Sequence, residues 1–369
     1  MENRPWRVEL VNLQEVLRPI DVLRKTTGVY VQDFYNWSLR RGWTDATTRA
    51  LPAAHGLIRL LHRPMVRELA AFWREHSPDL VVSVIPHFNR ALFESLPAET
   101  PLVTVLTDLA DHPPHFWIER QDQHYVCGSD RAVDQAIGMG IPREQVWRVS
   151  GMAIHPRFYT PIDMDRGAER ERLGLAAGVP TGLVLFGGYG SAVMLDIVER
   201  LDAAKMPVQL ILLCGRNLQL AESLMKLKAP LRRAVKTFTP EIAHYMHMSD
   251  FFIGKPGPGS LSEALAMKLP VIVEGNARTM VQERYNCDWI EQSGVGMVLA
   301  SFKEIAKAVE GMLNPIVYSG FHERVGLLEN RAVFEITSIL DQVMAQRRLK
   351  SQNTRERTTL INRQVTSGK

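Results

Sequence analysis

The stretch best suited to chemistry is a glycine loop set between a short apolar strand and a helix start. Phe251, Phe252 and Ile253 run into Lys255-Pro256-Gly257-Pro258-Gly259, a helix is expected from Ser260, and the chain returns as a second strand from Val271 to Val273. Gly257 and Gly259 carry no Cβ, so their backbone N–H groups can approach a ligand closely. The helix start behind them offers free donors and a positive dipole end. A phosphate group suits such a place. Two prolines stiffen the loop, so little ordering entropy is lost on binding. The same letters admit a ligand-free reading, because Ser260 and Glu263 stand as S-x-x-E, a capping box that would stabilise the helix by itself. The dinucleotide fingerprint G-x-G-x-x-G is absent.

Further loops of the same kind precede it. Gly182–Phe186 is expected as a strand ending in Gly187-Gly188-Tyr189-Gly190-Ser191, with a helix from Ala192. Val208–Leu213 leads into Cys214-Gly215-Arg216-Asn217, and Ala234–Phe238 is expected as the next strand. Downstream stands Gln282-Glu283-x-x-Asn286. Taken in order, these motifs resemble the C-terminal half of GT-B glycosyltransferases, and most closely the monogalactosyldiacylglycerol synthase family, relatives of the peptidoglycan enzyme that adds N-acetylglucosamine to lipid I. The resemblance runs from about Pro78 to about Ile339.

The resemblance implies an α/β fold of GT-B type, two Rossmann-like α/β/α domains whose parallel sheets face a central cleft. It implies a UDP-sugar as donor substrate and no separate cofactor or metal. By the same resemblance, Gly187, Gly188, Gly190 and Ser191 form a second phosphate loop, while Gly215, Arg216, Asn217 and Phe238 lie by the uracil. Pro256, Gly257, Gly259 and Ser260 lie near the diphosphate, and Glu263 binds the ribose hydroxyls. Gln282 and Glu283 meet the hexose, with Asn286 supporting their loop. Carboxylate and amide groups match the donors and acceptors of a polyol. Where the family often has glycine before the phenylalanine, this chain has Thr237. Asp163-Met164-Asp165 has the letters of a metal-binding D-x-D but falls in a polar linker.

The N-terminal half must supply the acceptor side. Asp79–Ile85, Pro101–Leu106 and His124–Cys127 are apolar runs expected as parallel strands covered on both faces. Ligands of open α/β sheets gather at the carboxyl ends of strands, which is where His87, Asp108, Asp111 and His112 fall. The family inverts the anomeric centre by direct displacement, so one base must take the acceptor proton. Asp108, matching the family's aspartate by position, is the first candidate and His112 the second; His87, His115 and Trp117 are acceptor-side candidates. A first strand candidate spans Arg7–Leu13. The family's opening strand with a G-G-G-H loop has no counterpart here, so an upstream stretch is expected to be missing. Leu57–Glu75 is expected as a helix pair broken at Pro64. Tyr30, Phe34, Tyr35, Trp37 and Trp43, with Arg40 and Arg41, suit a bilayer headgroup layer or a core.

At 369 residues the chain exceeds one core. The expected division is 1–151, acceptor- and membrane-facing; 152–345, UDP-sugar-binding; and 346–369, a basic flexible tail. The crossing is placed at Gly151, Met152 and His155-Pro156-x-Phe158. The tail holds seven Lys or Arg against Glu356, a net +6; with +4 overall, the remainder carries −2. Such a tail suits an anionic membrane surface or a solvated end. No apolar run of membrane-spanning length and no signal-peptide core occurs, so a peripheral protein on the cytoplasmic side of the membrane is expected. Cys127, Cys214 and Cys287 lack C-x-x-C spacing and read as reduced thiols. Nucleic acid is disfavoured, since no basic stripe with stacking aromatics enters the folded body. The function expected is hexose transfer, galactose or glucose, from a UDP-sugar to diacylglycerol or a related lipid. The alternatives are N-acetylhexosamine transfer to a lipid-linked acceptor and UDP-sugar binding without transfer. A nucleotide-sugar epimerase shares the fold but has no need of the aromatic, arginine-rich segment.

Overall fold

The computed structural model describes residues 4–20, 56, 59–112 and 116–367. The aromatic and arginine-rich segment at 30–43 and His115 lie outside these. The described residues form two compact units: residues up to Ser150 together with 331–367, and residues 151–330.

The first unit is built on strands β1 (Val81–Ser83), β2 (Leu102–Val105), β3 (His124–Cys127) and β4 (Val146–Arg148), all parallel and adjacent in that order. Helices α1 (Leu13–Val16), α2 (His62–His76), α3 (Asn89–Ser95) and α4 (Asp130–Gly138) belong with it. Every residue of β2 is buried, as an unbroken apolar run requires when both faces are covered. The expected strand Asp79–Ile85 differs from this: β1 covers only Val81–Ser83, and Val82 within it and Val84 just after it are 39% and 53% exposed. Arg7–Leu13 forms no strand, because its alternation finds no core: Leu10 is 97% exposed, and Asn12 caps α1 instead by accepting from Gln14 N–H. The helical stretch is interrupted at Leu61, not at Pro64. Pro64 sits in the first turn of α2, where a missing N–H leaves no intrahelical bond unmade.

The second unit holds β5 (Thr181–Leu185), β6 (Gln209–Leu213), β7 (Arg233–Lys236), β8 (Phe251–Gly254), β9 (Val271–Glu274) and β10 (Gly296–Leu299) in the order β10-β9-β8-β5-β6-β7, all parallel. Its helices are α5 (Arg166–Arg172), α6 (Val193–Ala203), α7 (Leu218–Lys226), α8 (Ile242–His247), α9 (Pro258–Ala266), α10 (Val281–Ser293), α11 (Ile305–Leu313) and α12 (Pro315–Leu327). Alternate strand residues feed two cores. Leu183, Ile211, Phe252 and Val271 face one, while Val184, Leu212, Ile253 and Ile272 face the other. Strand order reverses between β5 and β8, and the crevice beyond their carboxyl ends is the general ligand position of such sheets. Asp165 of the D-x-D letters is spent locally, its carboxylate capping α5 by accepting Ala168 N–H at 2.9 Å.

Helix α13 (Ala332–Ser367) corrects the expected division. Ala332, Ile336, Ile339 and Val343 are spaced for one helical face, and that face packs on Val103, Val105 and Val126 of the first sheet. Residues 331–345 therefore belong to the first unit, and the backbone of the expected flexible tail continues the helix to Ser367. Arg4 ties the start of the chain to this helix through the Thr337 carbonyl (2.8 Å) and Asp341. Ile339→Ala should lower first-unit stability by about 2 kcal/mol. Urea unfolding monitored through Trp117 and Trp147 emission checks this, and an unchanged midpoint would refute the packing role of α13.

Candidate functional site

Three loops leave the carboxyl ends of β5, β6 and β8. The loop after β5 turns at Gly187, whose carbonyl accepts Gly190 N–H at 3.2 Å. The loop after β6 lies directly on it, with Arg216 N–H donating to the Gly188 carbonyl at 2.8 Å. Gly215 has φ +58°, and a Cβ there would stand 2.2 Å from that same carbonyl oxygen, so only glycine permits the contact. Gly190 and Asn217 thus build the loops and do not line the cavity described below. Gly190 packs against Leu220 and the Cys214 carbonyl, and Asn217 caps α7 by accepting Leu220 N–H at 3.0 Å. Ser191 Oγ accepts Val193 N–H near the start of α6, at 3.4 Å.

The third loop carries Lys255, Pro256 and Gly257 into α9. Fully buried Asn286 donates Nδ2 to the Pro256 carbonyl at 2.7 Å. In a trans peptide, C=O and N–H point opposite ways. With its oxygen held by Asn286, the 256–257 peptide turns its N–H away from Asn286, and Gly257 itself lines the cavity described below. Gly257 is the N-cap of α9 with no side-chain cap, and Pro258 occupies the first helical position. The amides of Gly259 and Ser260 follow, without intrahelical acceptors. The capping box does not form. Pro258 starts the helix two residues before Ser260, which leaves Glu263 too far along to reach the N-cap amide.

These loops enclose a cavity of about 310 Å³. Gly187, Gly188 and Gly215 line one side. Gly257, Gly259 and Ser260 line another, with Glu263 and Glu283, and Phe238 stands at the wall. Phe238 is 58% exposed, and the Arg216 guanidinium lies 5.1 Å from its ring centroid, a cation-backed aromatic plate. Pro256, Gln282 and Asn286 do not line the cavity. Lys255 does, and the residue-by-residue reading missed it; its signal was a lone cation placed directly after a fully buried strand. Lys255 Nζ donates to Glu283 Oε1 at 2.7 Å, which holds the charge of a carboxylate only 5% exposed.

Glu263 is held differently. Among the described residues its carboxylate has no hydrogen bond or ion pair, and burial pushes its pKa up to about 7, with the positive charge of Arg157 acting the other way. A carboxylate without protein partners is suited to accept from ligand hydroxyls. The three cysteines are free and buried; burial pushes Cys214 up to about 11 and Cys127 and Cys287 up to about 12, so none is an activated nucleophile.

In the first unit, Trp117 is not an exposed acceptor contact. It is 1% exposed, donates its indole N–H to Asp108 Oδ2 at 2.8 Å and its backbone N–H to Asp111 Oδ1 at 2.6 Å. Asp108 is itself only 7% exposed. Gln135 clamps Asp111 from both sides, accepting its N–H and donating to its carbonyl. His87 is half-buried at φ +69°, its ring edge-on to Phe116 with centroids 4.1 Å apart. His112 is exposed.

Residues 30–154 match the family model for monogalactosyldiacylglycerol (MGDG) synthase, and residues 183–315 match the glycosyltransferase family 28 C-terminal domain. The spinach chloroplast MGDG synthase is 28% identical over 299 residues, 77% of this chain and 56% of its own length. Arabidopsis MGDG synthase 1 is 28% identical over 264 residues, 68% of this chain and 48% of its own length. The chain thus spans about half the length of the curated relatives it matches. In fold it is similar to S. aureus MnaA solved with UDP (TM-score 0.58, 16% identity, covering 78% of this chain and 80% of that one). It is likewise similar to Anabaena Alr3699/HepE solved with UDP and glucose (TM-score 0.51, 18% identity, covering 76% and 82%). The resemblance to the MGDG synthase family holds in both units, and the fold is GT-B.

Glu263 sets a pH dependence. Its folded pKa lies above the 4.5 of the free side chain, so the folded state binds more protons between about pH 4.5 and 7, and stability falls as pH rises through that window. Glu263→Gln should therefore be more stable than wild type at pH 8, by about 2–3 kcal/mol, and match it near pH 4. Thermal unfolding of both proteins across pH measures this; equal stability at pH 8 would show that Glu263 is not buried as a free carboxyl.

Proposed function

We propose that this relative of the MGDG synthase family transfers a hexose from a UDP-sugar to diacylglycerol or a related lipid, with inversion. The observation that carries the reading is the cavity at the β5/β8 switch point, lined by Gly257, Gly259 and Ser260, Lys255, and a Glu263 with no partner among the described residues. In the reaction the acceptor oxygen forms a bond to the anomeric carbon as the bond from that carbon to the diphosphate oxygen breaks. Negative charge then builds on the leaving UDP. The amides of Gly257, Gly259 and Ser260 and the Lys255 ammonium meet that charge, in place of a metal ion. A helix end contributes about 0.3–2 kcal/mol in static terms and more where water is excluded.

The remaining parts of the donor follow from chemistry. Uracil lies against the Phe238 plate, the ribose hydroxyls donate to Glu263, and Glu283 meets the hexose. On the acceptor side we place His112 first as the base. Asp108 and Asp111 are committed to holding Trp117, whereas the exposed imidazole of His112 stands next to a backbone clamped by Gln135. The acceptor is a lipid, and we propose peripheral attachment to an anionic surface at the cytoplasmic side. Among the described residues no helix is long and apolar enough to cross a membrane, and the +6 run at 346–369 would add about 1 kcal/mol per basic residue at such a surface. N-acetylhexosamine transfer to a lipid-linked acceptor is the second reading, favoured by the family 28 match.

Labelled UDP-galactose, UDP-glucose and UDP-N-acetylglucosamine, each offered with diacylglycerol in anionic vesicles, separate these readings. Label in the organic extract from one hexose donor is expected. UDP binding without any lipid product would sink the transferase reading. His112→Ala should lower turnover at least about 100-fold with UDP affinity unchanged. If the large loss appears instead in Asp108→Asn while Trp117 emission stays native, Asp108 is the base. Lys255→Met should weaken UDP binding at least about tenfold, the worth of one charge-assisted contact.

A further inference from the structure

The Phe238 plate stands on a short stretch of the cavity wall that has little of its own to fix it. The Lys236 carbonyl ends the ladder between β6 and β7 by accepting Cys214 N–H at 2.8 Å, and α8 begins at Ile242. Within 237–240, Thr237, Phe238 and Pro240 are exposed, and Thr237, Phe238 and Thr239 line the cavity. Pro240 has no N–H to donate. The Thr239 hydroxyl is used locally, accepting Glu241 N–H at 3.0 Å. If such a stretch had to be ordered when a ligand arrives, the cost would come off the affinity.

Two arginines reach this stretch from outside it. The Arg216 guanidinium lies 5.1 Å from the Phe238 ring centroid. Arg157 donates through one terminal nitrogen to the Pro240 carbonyl at 2.5 Å, and among the described residues no other hydrogen bond joins 237–240 to a distant part of the chain. Arg157 is exposed, and a surface arginine normally keeps its rotamer freedom. His155 removes that freedom. The backbone N–H and the Nε of Arg157 donate to His155 Nδ1 at 3.1 and 3.0 Å, and the second terminal nitrogen stands 3.3 Å from His155 Nε2, so the guanidinium lies along the imidazole. The 3-10 turn that bears Arg157, Pro156–Tyr159, is itself seated by Phe158, which is 5% exposed in the core that also holds Ala243 and Met246 of α8.

We propose that Arg157 is a positioning residue of the donor site: aligned by His155, it holds the Pro240 carbonyl and so keeps the Phe238 plate in place for the nucleotide base before the ligand arrives. This rests on the nucleotide-sugar reading of the cavity. The role belongs to the shape of the guanidinium, whose planar fork serves His155 and Pro240 together. A lysine ammonium, a point charge on a flexible stem, keeps the charge but not that double reach.

Calorimetric titration of the full chain with UDP tests this in wild type, Arg157→Gln, Arg157→Lys, Phe238→Ala and the double variant Arg157→Gln with Phe238→Ala. Phe238→Ala should weaken binding at least about fivefold, the loss of one base–aromatic stack. Arg157→Gln should weaken it about three- to tenfold, the ordering cost of a side chain that is no longer held in advance. Arg157→Lys should lose as much. In the Phe238→Ala background, Arg157→Gln should cost nothing further, because the arginine acts through the plate. Wild-type affinity in Arg157→Gln or in Arg157→Lys would overturn the proposal. So would an Arg157→Gln loss that persists in full beside Phe238→Ala, which would show the arginine acting on binding by another route. Phe238→Ala separates the two levels: if it binds UDP as tightly as wild type, the base wall fails and the proposal goes with it. If Phe238→Ala binds more weakly while Arg157→Gln does not, the donor-site reading stands and the clasp alone falls.

Discussion

The donor site depends on how buried polar groups of α10 are satisfied. Glu283 is nearly inaccessible to water, and a lone carboxylate there would carry a heavy desolvation cost. Lys255 Nζ at 2.7 Å offsets it, and one turn on, Asn286 takes the Pro256 carbonyl. Two adjacent residues of the β8 loop are therefore bonded to two residues on one face of α10. That double attachment sets the peptide plane at Gly257, and with it the direction of the amides at the start of α9. Among the described residues Asn286 Oδ1 is buried without a partner, a cost of about 1–3 kcal/mol, which fits a residue held for its effect on the loop more than for its own bonding.

The sheet supplies the place where such loops can meet. In a parallel sheet with helices on both faces, every strand delivers its loop at the same edge, and the reversal of order between β5 and β8 leaves a gap no crossover helix covers. The contact of Gly215 with Gly188 then closes one wall. The same architecture explains the anchoring at the opposite end of the strands, where Asp250 accepts from Arg166, Arg170 and Thr181 N–H and fixes the entry of β5 and β8 together.

Charge is distributed unevenly between the two carboxylates of the cavity. Glu283 is paired, whereas Glu263 has no hydrogen-bond or ion-pair partner among the described residues. Groups whose environments differ in this way suit different tasks, one a carboxylate already held by a cation and one open to ligand hydroxyls. In the first unit, Asp108 and Asp111 are likewise committed, here to the two N–H groups of Trp117. The exposed His112 directly follows the Asp111 held in this way.

Several features were legible in the residues alone because they depend on neighbours within a turn. The apolar runs of β2, β5 and β8, the glycines after them and the helix starts all follow from local sterics and periodicity, and GT-B motifs in order gave the fold. Other features needed the folded chain. Ser260 and Glu263 have capping-box spacing, but Pro258 starts the helix earlier and removes the geometry. The face of α13 was readable as apolar, yet nothing in its own letters says which sheet it covers. The pairings of Lys255 with Glu283 and of Arg157 with Pro240 join residues 28 and 83 positions apart. Chain-local rules reach about four residues along a helix or two along a strand. Which buried charge meets which partner is decided by packing, because only packing removes the water that would otherwise satisfy both.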